Sequence, residues 1–452
     1  MQFNTPIDSQ VVRQKIIESK LKDVGTASIR EIKRLVDNIE AATGEKFIRM
    51  EMGIPGLPPV KIGVEAEIEA LKKGVAAIYA DIHGIPPLKT EISRFVKNFI
   101  DLDVNPECCI PTVGSMQGCF AAFMTVNQMY QKKDTILFID PGFPVHKQQL
   151  RVLGQKWESF DVYDFRGEKL RKKLESYLRE GNISGILYSN PNNPSWICFT
   201  EKELQIIGEL ADRYDVVVLE DLAYIAMDFR KDMSRPGEPP FQPSVGKYTE
   251  NYILLISSSK AFSYAGQRIG MMVISDTVFS KHCPDLKRNY SSDVFGYAMI
   301  YGTVYALSAG ITHSSQYGLT AILKAVNDGH YNFVEVVKEY GEKAHIMKNL
   351  FLTNGFKIVY DKDEDNPIAD GFYFTYSYPG FSGEELLAEM IYYGISAISL
   401  AITGSERKEG VRACVSLIQR EQFSDLEYRL KKFNEHHKES NFRAINSVNR
   451  HM

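Results

Sequence analysis

The chain is poor in patterned cysteine. Its six cysteines (Cys108, Cys109, Cys119, Cys198, Cys283, Cys414) include no C-x-x-C pair. They read as reduced, mostly buried thiols of a cytoplasmic protein. The nine histidines show no metal-ligand spacing, so no metal site is indicated. No apolar run approaches the length of a membrane span. The opening Met1-Gln2-Phe3-Asn4-Thr5-Pro6 lacks the apolar core of a secretion signal. Neither GxxxxGK nor GxGxxG occurs, which removes the P-loop and dinucleotide fingerprints. An excess of positive charge is also missing. With 53 Lys+Arg against 57 Asp+Glu the net charge is −4, which argues against nucleic acid or an anionic membrane as the main partner. There are no internal repeats.

What is present is an ordinary globular composition over 452 residues, 44% hydrophobic and 24% charged, more than one core accommodates. Amphipathic helical stripes fill about Ser9 to Gly44 (Ile16, Ile17 and Leu21; then Ile29, Ile32, Leu35, Val36 and Ile39), and a Gly/Pro turn follows at Gly53–Pro59. Strand and helix patterns then alternate, predicting an α/β fold with a mostly parallel sheet covered on both faces. The strand candidates are Thr135–Ile139, Gly185–Tyr188, Val216–Leu219, Tyr252–Ile256 and Met271–Ile274. The polar, proline-rich Arg230–Lys247 reads as a surface excursion. A long helical stretch from about Ser314 to Leu352 leads to a smaller α+β unit containing Gly371–Tyr376 and Val411–Leu417, and the polar tail beyond His436 is expected to fray. The expected division is an N-terminal arm over 1–52, a large domain over 53–313 and a linking helix with a small domain over 314–452.

The chemistry gathers at the ends of the predicted strands, where α/β folds place their sites. Tyr252–Ile256 runs into Ser257-Ser258-Ser259-Lys260, with Arg268 eight positions on. Hydroxyls and a guanidinium suit a phosphate, and a desolvated lysine is an imine-forming nucleophile. Together they suggest pyridoxal phosphate, although serine-rich loops ending in lysine are equally common on surfaces. Thr135–Ile139 leads to Phe143, a ring that suits a cofactor ring or a plain core. Gly185–Tyr188 leads to Asn190-Pro191-Asn192-Asn193-Pro194, where Asn193 suits the cofactor's phenolate oxygen and a simple turn is the rival. Val216–Leu219 leads to Glu220-Asp221-Leu222-Ala223-Tyr224. A carboxylate under the pyridine nitrogen keeps it protonated, a task for Asp221; a divalent-metal pair or a helix cap fits the same two acids. Gly114-Ser115-Met116 precedes a helical run, Cys119–Tyr130, and can offer N–H groups to an anion or merely make a turn. Tyr79 is a further phosphate candidate or a packing residue.

These motifs, in this order, resemble those of the fold-type I pyridoxal-phosphate aminotransferases, the aspartate aminotransferase superfamily, over essentially the whole chain. The series is Gly53 in a Gly-x-Pro turn, Tyr79, Gly114-Ser115-Met116, Phe143-Pro144, Asn193-Pro194, Asp221-x-x-Tyr224, Ser257-x-Ser259-Lys260, Arg268 and Arg412. The resemblance implies that Lys260 links to the cofactor and shuttles the proton, with Asp221 and Tyr224 as its catalytic partners. It places Asn193 and Tyr224 at the phenolate oxygen and His146 behind Asp221. Phosphate would fall to Ser257, Ser259, Arg268 and the Gly114–Met116 amides, with Tyr79 reaching in from the neighbour in a homodimer. Gly53, Asn193 and Arg412 would face the substrate, Arg412 gripping its carboxylate, although on residues alone an internal salt bridge fits Arg412 as well.

Departures accompany the match. Ser195-Trp196 stands where the family usually has Thr-Gly, and Phe143 replaces a tryptophan or tyrosine. Arg288 lies only in the general region of the arginine that binds a second carboxylate. The implied reaction moves an amino group between an L-amino acid (neutral, aromatic or dicarboxylic) and a 2-oxo acid. The rivals are a lyase of the same fold, such as a carbon–sulfur lyase, and a non-catalytic regulatory binding protein.

Overall fold

A computed structural model describes residues 4–448. The first three residues of the segment read for a secretion signal and the last four of the polar tail lie outside the described residues. The chain forms two compact units. One comprises Leu57–Asn192 and Ile197–Lys338; the other comprises the chain up to Gly56, the short piece Asn193–Trp196 and the chain from Glu339.

The larger unit is built on seven strands, in the order Cys109–Thr112, Gly270–Ile274, Tyr252–Ser257, Val217–Leu222, Ile183–Ser189, Thr135–Asp140 and Lys156–Asp161. Six run parallel, and Gly270–Ile274 alone is antiparallel to both neighbours. The four central parallel strands are aliphatic and buried at every position, so helices cover both faces. All five predicted strands form. The two additional ones carry weak signals for physical reasons. Cys109–Thr112 contains Pro111, tolerated because the strand lies at a sheet edge. Lys156–Asp161, at the opposite edge, is only half-buried and carries charges. Phe123 and Val126 of the helix Gly114–Val126 pack with Ile136, Phe138, Leu219, Ile253 and Leu255 in the core.

Register brings the chemistry together. Ser189 pairs with Asp221 and Asp221 with Leu255. Ser257 pairs with Gly270, and Gly270 with Thr112 just before Gly114. The strand ends that carry candidate residues therefore share one edge of the sheet.

The smaller unit has a four-stranded antiparallel sheet ordered Ile398–Ser399, Val411–Cys414, Tyr373–Ser377, Lys357–Ile358. The N-terminal arm joins it through helices Ser9–Ser19 and Ile29–Thr43. The second is started by a Ser28/Glu31 capping box and buries Ile32, Leu35, Val36 and Ile39. The first buries only Val12 and leaves Ile17 exposed. Strand Ile48–Arg49 pairs in parallel with Ile395–Ser396.

Three local expectations change. The helical stretch 314–352 is two helices, His313–Asn327 and Phe333–Thr353, separated by Gly329 at φ +72°. The final helix runs from Phe423 to Val448, so the segment expected to fray is helical through that point. The Arg230–Lys247 excursion is only partly superficial. Its Gly237–Pro240 tip is exposed, whereas Gln242, Ser244 and Val245 are buried. Among the described residues no helix is long and apolar enough to cross a membrane.

Candidate active site

In the larger unit, the N-terminus of helix Gly114–Val126 meets the loop after strand Tyr252–Ser257. Gly114 has φ +64°, and a Cβ there would lie 2.5 Å from Arg268 Nη2. A Cβ on Gly270 would lie 2.6 Å from the Ser115 amide nitrogen. Both glycines are required by this close approach, which leaves the Gly114, Ser115 and Met116 region beside the Arg268 guanidinium. Arg268 is held by Nη1 donating to the Ala265 carbonyl at 2.9 Å. Ser257 Oγ accepts from the Ser259 amide at 3.1 Å. The middle serine, Ser258, is fully buried and donates to the Ile269 carbonyl at 2.5 Å, so its hydroxyl is committed to the fold. Glycines, helix N-terminus, serines and arginine form a donor set suited to phosphate.

Lys260 follows in the one-turn helix Ser258–Ala261, half-buried. One strand away, Asp221 is buried, and its Oδ1 accepts from the Ala223 amide at 3.1 Å. Burial pushes this carboxyl up to about 7. His146 lies in helix Pro144–Leu153 with Nε2 3.8 Å from Asp221 Oδ2, beyond hydrogen-bond reach. Burial lowers His146 to about 4, so it is neutral and supplies Asp221 with no cation. Phe143 packs edge-on against His146, with centroids 5.5 Å apart. A buried carboxylate that pairs with no cation among the described residues, one strand from the lysine, fits the protonated ring nitrogen of pyridoxal phosphate. Tyr224 is buried just past the strand end.

The acid next to Asp221 has another role. Glu220 accepts from Tyr188 Oη at 3.1 Å, Ser244 Oγ at 2.5 Å and the Val245 amide at 3.2 Å. Burial lifts it to about 7 while these donors oppose the shift. The Arg230–Lys247 excursion thus braces the strand that carries Asp221.

In the smaller unit, Arg412 is buried in strand Val411–Cys414. Its Nη1 donates to Asn193 Oδ1 at 3.3 Å and its Nη2 to the Glu51 carbonyl at 2.6 Å. Its guanidinium carbon stands 4.6 Å from the centre of the Tyr373 ring. Among the described residues no carboxylate pairs with it, so a buried cation is presented for an outside anion. Gly53 belongs here too: a Cβ on it would lie 2.1 Å from Tyr373 Oη. Tyr79, in the larger unit, is 94% exposed. Arg288 is 40% exposed by side chain and turned onto the carbonyl and carboxylate of Asp285, at 3.0 and 3.9 Å.

With this geometry in place, the model of the family described as aminotransferase class I and II matches residues 45–357. The chain belongs to that family. The family consists of pyridoxal-phosphate enzymes, and this aminotransferase is 25% identical over 335 residues to the probable aspartate aminotransferase of Methanocaldococcus jannaschii, covering 74% of this chain and 79% of that one. It is 30% identical over 243 residues to the glutamate-pyruvate aminotransferase AlaC of Escherichia coli, covering 52% and 56%. Its fold is that of a single mutant of Thermus thermophilus aspartate aminotransferase, with TM-score 0.72 at 17% identity over 93% of this chain and 98% of that one.

Two features of the aminotransferase escaped sequence reasoning. Tyr373 was visible only as one aromatic in a strand, because its partnership with Arg412 depends on the pairing of Thr375 with Arg412. The Ser244–Glu220 contact joins residues 24 apart across a proline-rich segment, with no periodicity to betray it.

Proposed function

We propose that this aminotransferase binds pyridoxal phosphate and moves an amino group from an L-amino acid to a 2-oxo acid. The observation that carries the reading is Asp221, a buried carboxylate with no cationic partner among the described residues, one strand from Lys260. When bound, pyridoxal phosphate supplies the carbonyl that links to amines and the ring that accommodates the electron pair left at the substrate α-carbon. Gly114, Ser115, Met116, Ser257, Ser259 and Arg268 hold the phosphate. Phe143 would cover the cofactor ring, and Asn193 and Tyr224 would serve the phenolate oxygen. Asp221 would face the ring nitrogen and favour its protonated form. Arg412 takes the substrate α-carboxylate, with Gly53 and Asn193 shaping that side. Lys260 would be the residue that links to the cofactor, and its Nζ would take the substrate α-proton and give it back.

The chain acts as a homodimer in this reading, with Tyr79 reaching its partner's phosphate. In support, Ile78, Tyr79, Tyr297 and Tyr305 are all exposed. The six buried cysteines support a reducing compartment such as the cytoplasm.

The test is the visible absorption of the purified protein titrated with amino acids one at a time. A bound-cofactor band that bleaches with a donor, yields its oxo acid and returns with a second oxo acid supports transamination. Bleaching with release of ammonia or a thiol would replace it with a lyase.

A further inference from the structure

We propose that Trp196 is a positioning residue for substrate recognition: acting through Tyr373, it fixes the plane of the Arg412 guanidinium. The inference rests on the reading of Arg412 as the carboxylate anchor. Trp196 is fully buried and has φ +66°, a left-handed backbone that disfavours every residue with a side chain of this size. A glycine is usual here in the family, so this chain accepts strain to place an indole at this point.

The indole has a defined seat. A Cβ on Gly371 would lie 1.9 Å from its Cε2 and 2.2 Å from its Cζ2 and Nε1, so the ring lies directly over the Gly371 backbone. Two residues on, Tyr373 meets Trp196 edge to face, with centroids 6.2 Å apart at 64°. The hydroxyl end of Tyr373 abuts Gly53, and its face carries Arg412 at 4.6 Å. Tyr373 is thus confined by an indole on one side and by the Gly53 backbone at its tip.

Arg412 needs this confinement. Among the described residues it has no ion pair, and its Nε has no hydrogen-bond partner. Two of its nitrogens are tied, to Asn193 and to the Glu51 carbonyl. Asn193 and Trp196 belong to the same four-residue piece of chain. That short piece therefore sets the edge of the guanidinium directly and its face through Tyr373. Removing the indole opens a void beside Tyr373, and the tilt of that ring carries to the group that must meet a carboxylate in plane.

The experiment uses the cofactor-loaded enzyme and two readouts. One is the dissociation constant of propanoate, a carboxylate without an amino group, from its effect on the cofactor's visible band. The other is KM against kcat for a donor that bleaches that band. Trp196→Ala should weaken propanoate about tenfold and raise KM with little change in kcat, and Trp196→Phe should recover most of the affinity. Tyr373→Leu, which keeps bulk without a ring face, should weaken propanoate similarly and serves if Trp196→Ala folds poorly. Arg412→Ala separates the two levels of argument. If it leaves propanoate affinity unchanged, the anchor reading fails and the inference with it. If it weakens propanoate while Trp196→Ala and Tyr373→Leu do not, the inference alone is overturned.

Discussion

His146 Nε2 stands 3.8 Å from Asp221 Oδ2, and burial drives the two groups toward neutrality from opposite directions, His146 down to about 4 and Asp221 up to about 7. Their effects on stability have opposite signs. In cofactor-free protein, native Asp221 keeps its proton from about pH 4 to 7 while the unfolded chain has lost it, so stability falls as pH rises through that window. Native His146 stays neutral down to about pH 4 while the unfolded chain protonates near 6.5, so stability falls as pH drops from 6.5 to 4. Asp221→Asn removes the first effect. Urea unfolding at several pH values should show the variant gaining on the wild type from pH 4 to 7, by up to about 4 kcal/mol, then levelling off. A pH-independent difference would rule this out. Cofactor affinity should move the other way, because the variant has no charge to offer the ring nitrogen.

Lys260→Ala should lose covalent attachment of the cofactor, seen as the absence of a lysine adduct by mass spectrometry after borohydride reduction. Turnover should drop about 10²–10⁴-fold from the loss of proton transfer alone. Wild-type turnover in the variant would remove Lys260 from the mechanism.

Ser244→Ala should destabilise the protein by about 1–3 kcal/mol, since a buried carboxylate loses a donor at 2.5 Å. Thermal or urea unfolding measures it. An unaltered stability would show that the Arg230–Lys247 excursion does not brace the strand of Asp221.

Gly371→Ala should destabilise by about 1–3 kcal/mol, because the new Cβ falls 1.9 Å from the indole. In a Trp196→Ala background the same change should cost nothing or stabilise slightly. Additive effects in a double-mutant cycle would contradict the packing described for this pair.

The large sheet was legible because four of its strands are continuous aliphatic runs, each closed by polar residues, a local signal that needs no knowledge of neighbours. Residues at their ends, Asp221 and Ser257 among them, followed from that reading, whereas Gly114 follows the edge strand Cys109–Thr112, whose Pro111 masks its signal. What stayed hidden depends on distant pairing. Tyr373 joins Arg412 only through strand register, and the sequence marks Trp196 as a departure from the family without showing the space that Gly371 leaves for it. The excursion looked peripheral because its proline-rich, charged beginning resembles a solvated loop, while its end is buried against Glu220.

The N-terminal arm has a consequence for biosynthesis. Glu51 accepts a hydrogen bond from Ser396 Oγ, a residue 345 positions later, and its carbonyl receives Arg412 from 361 positions later. At about 5–20 residues per second, a ribosome needs roughly 20–70 s to deliver those partners. The strands of the large sheet all emerge between residues 109 and 274, well within that interval. The segment around Glu51 therefore reaches its final pairing only after every strand of the large sheet has been made.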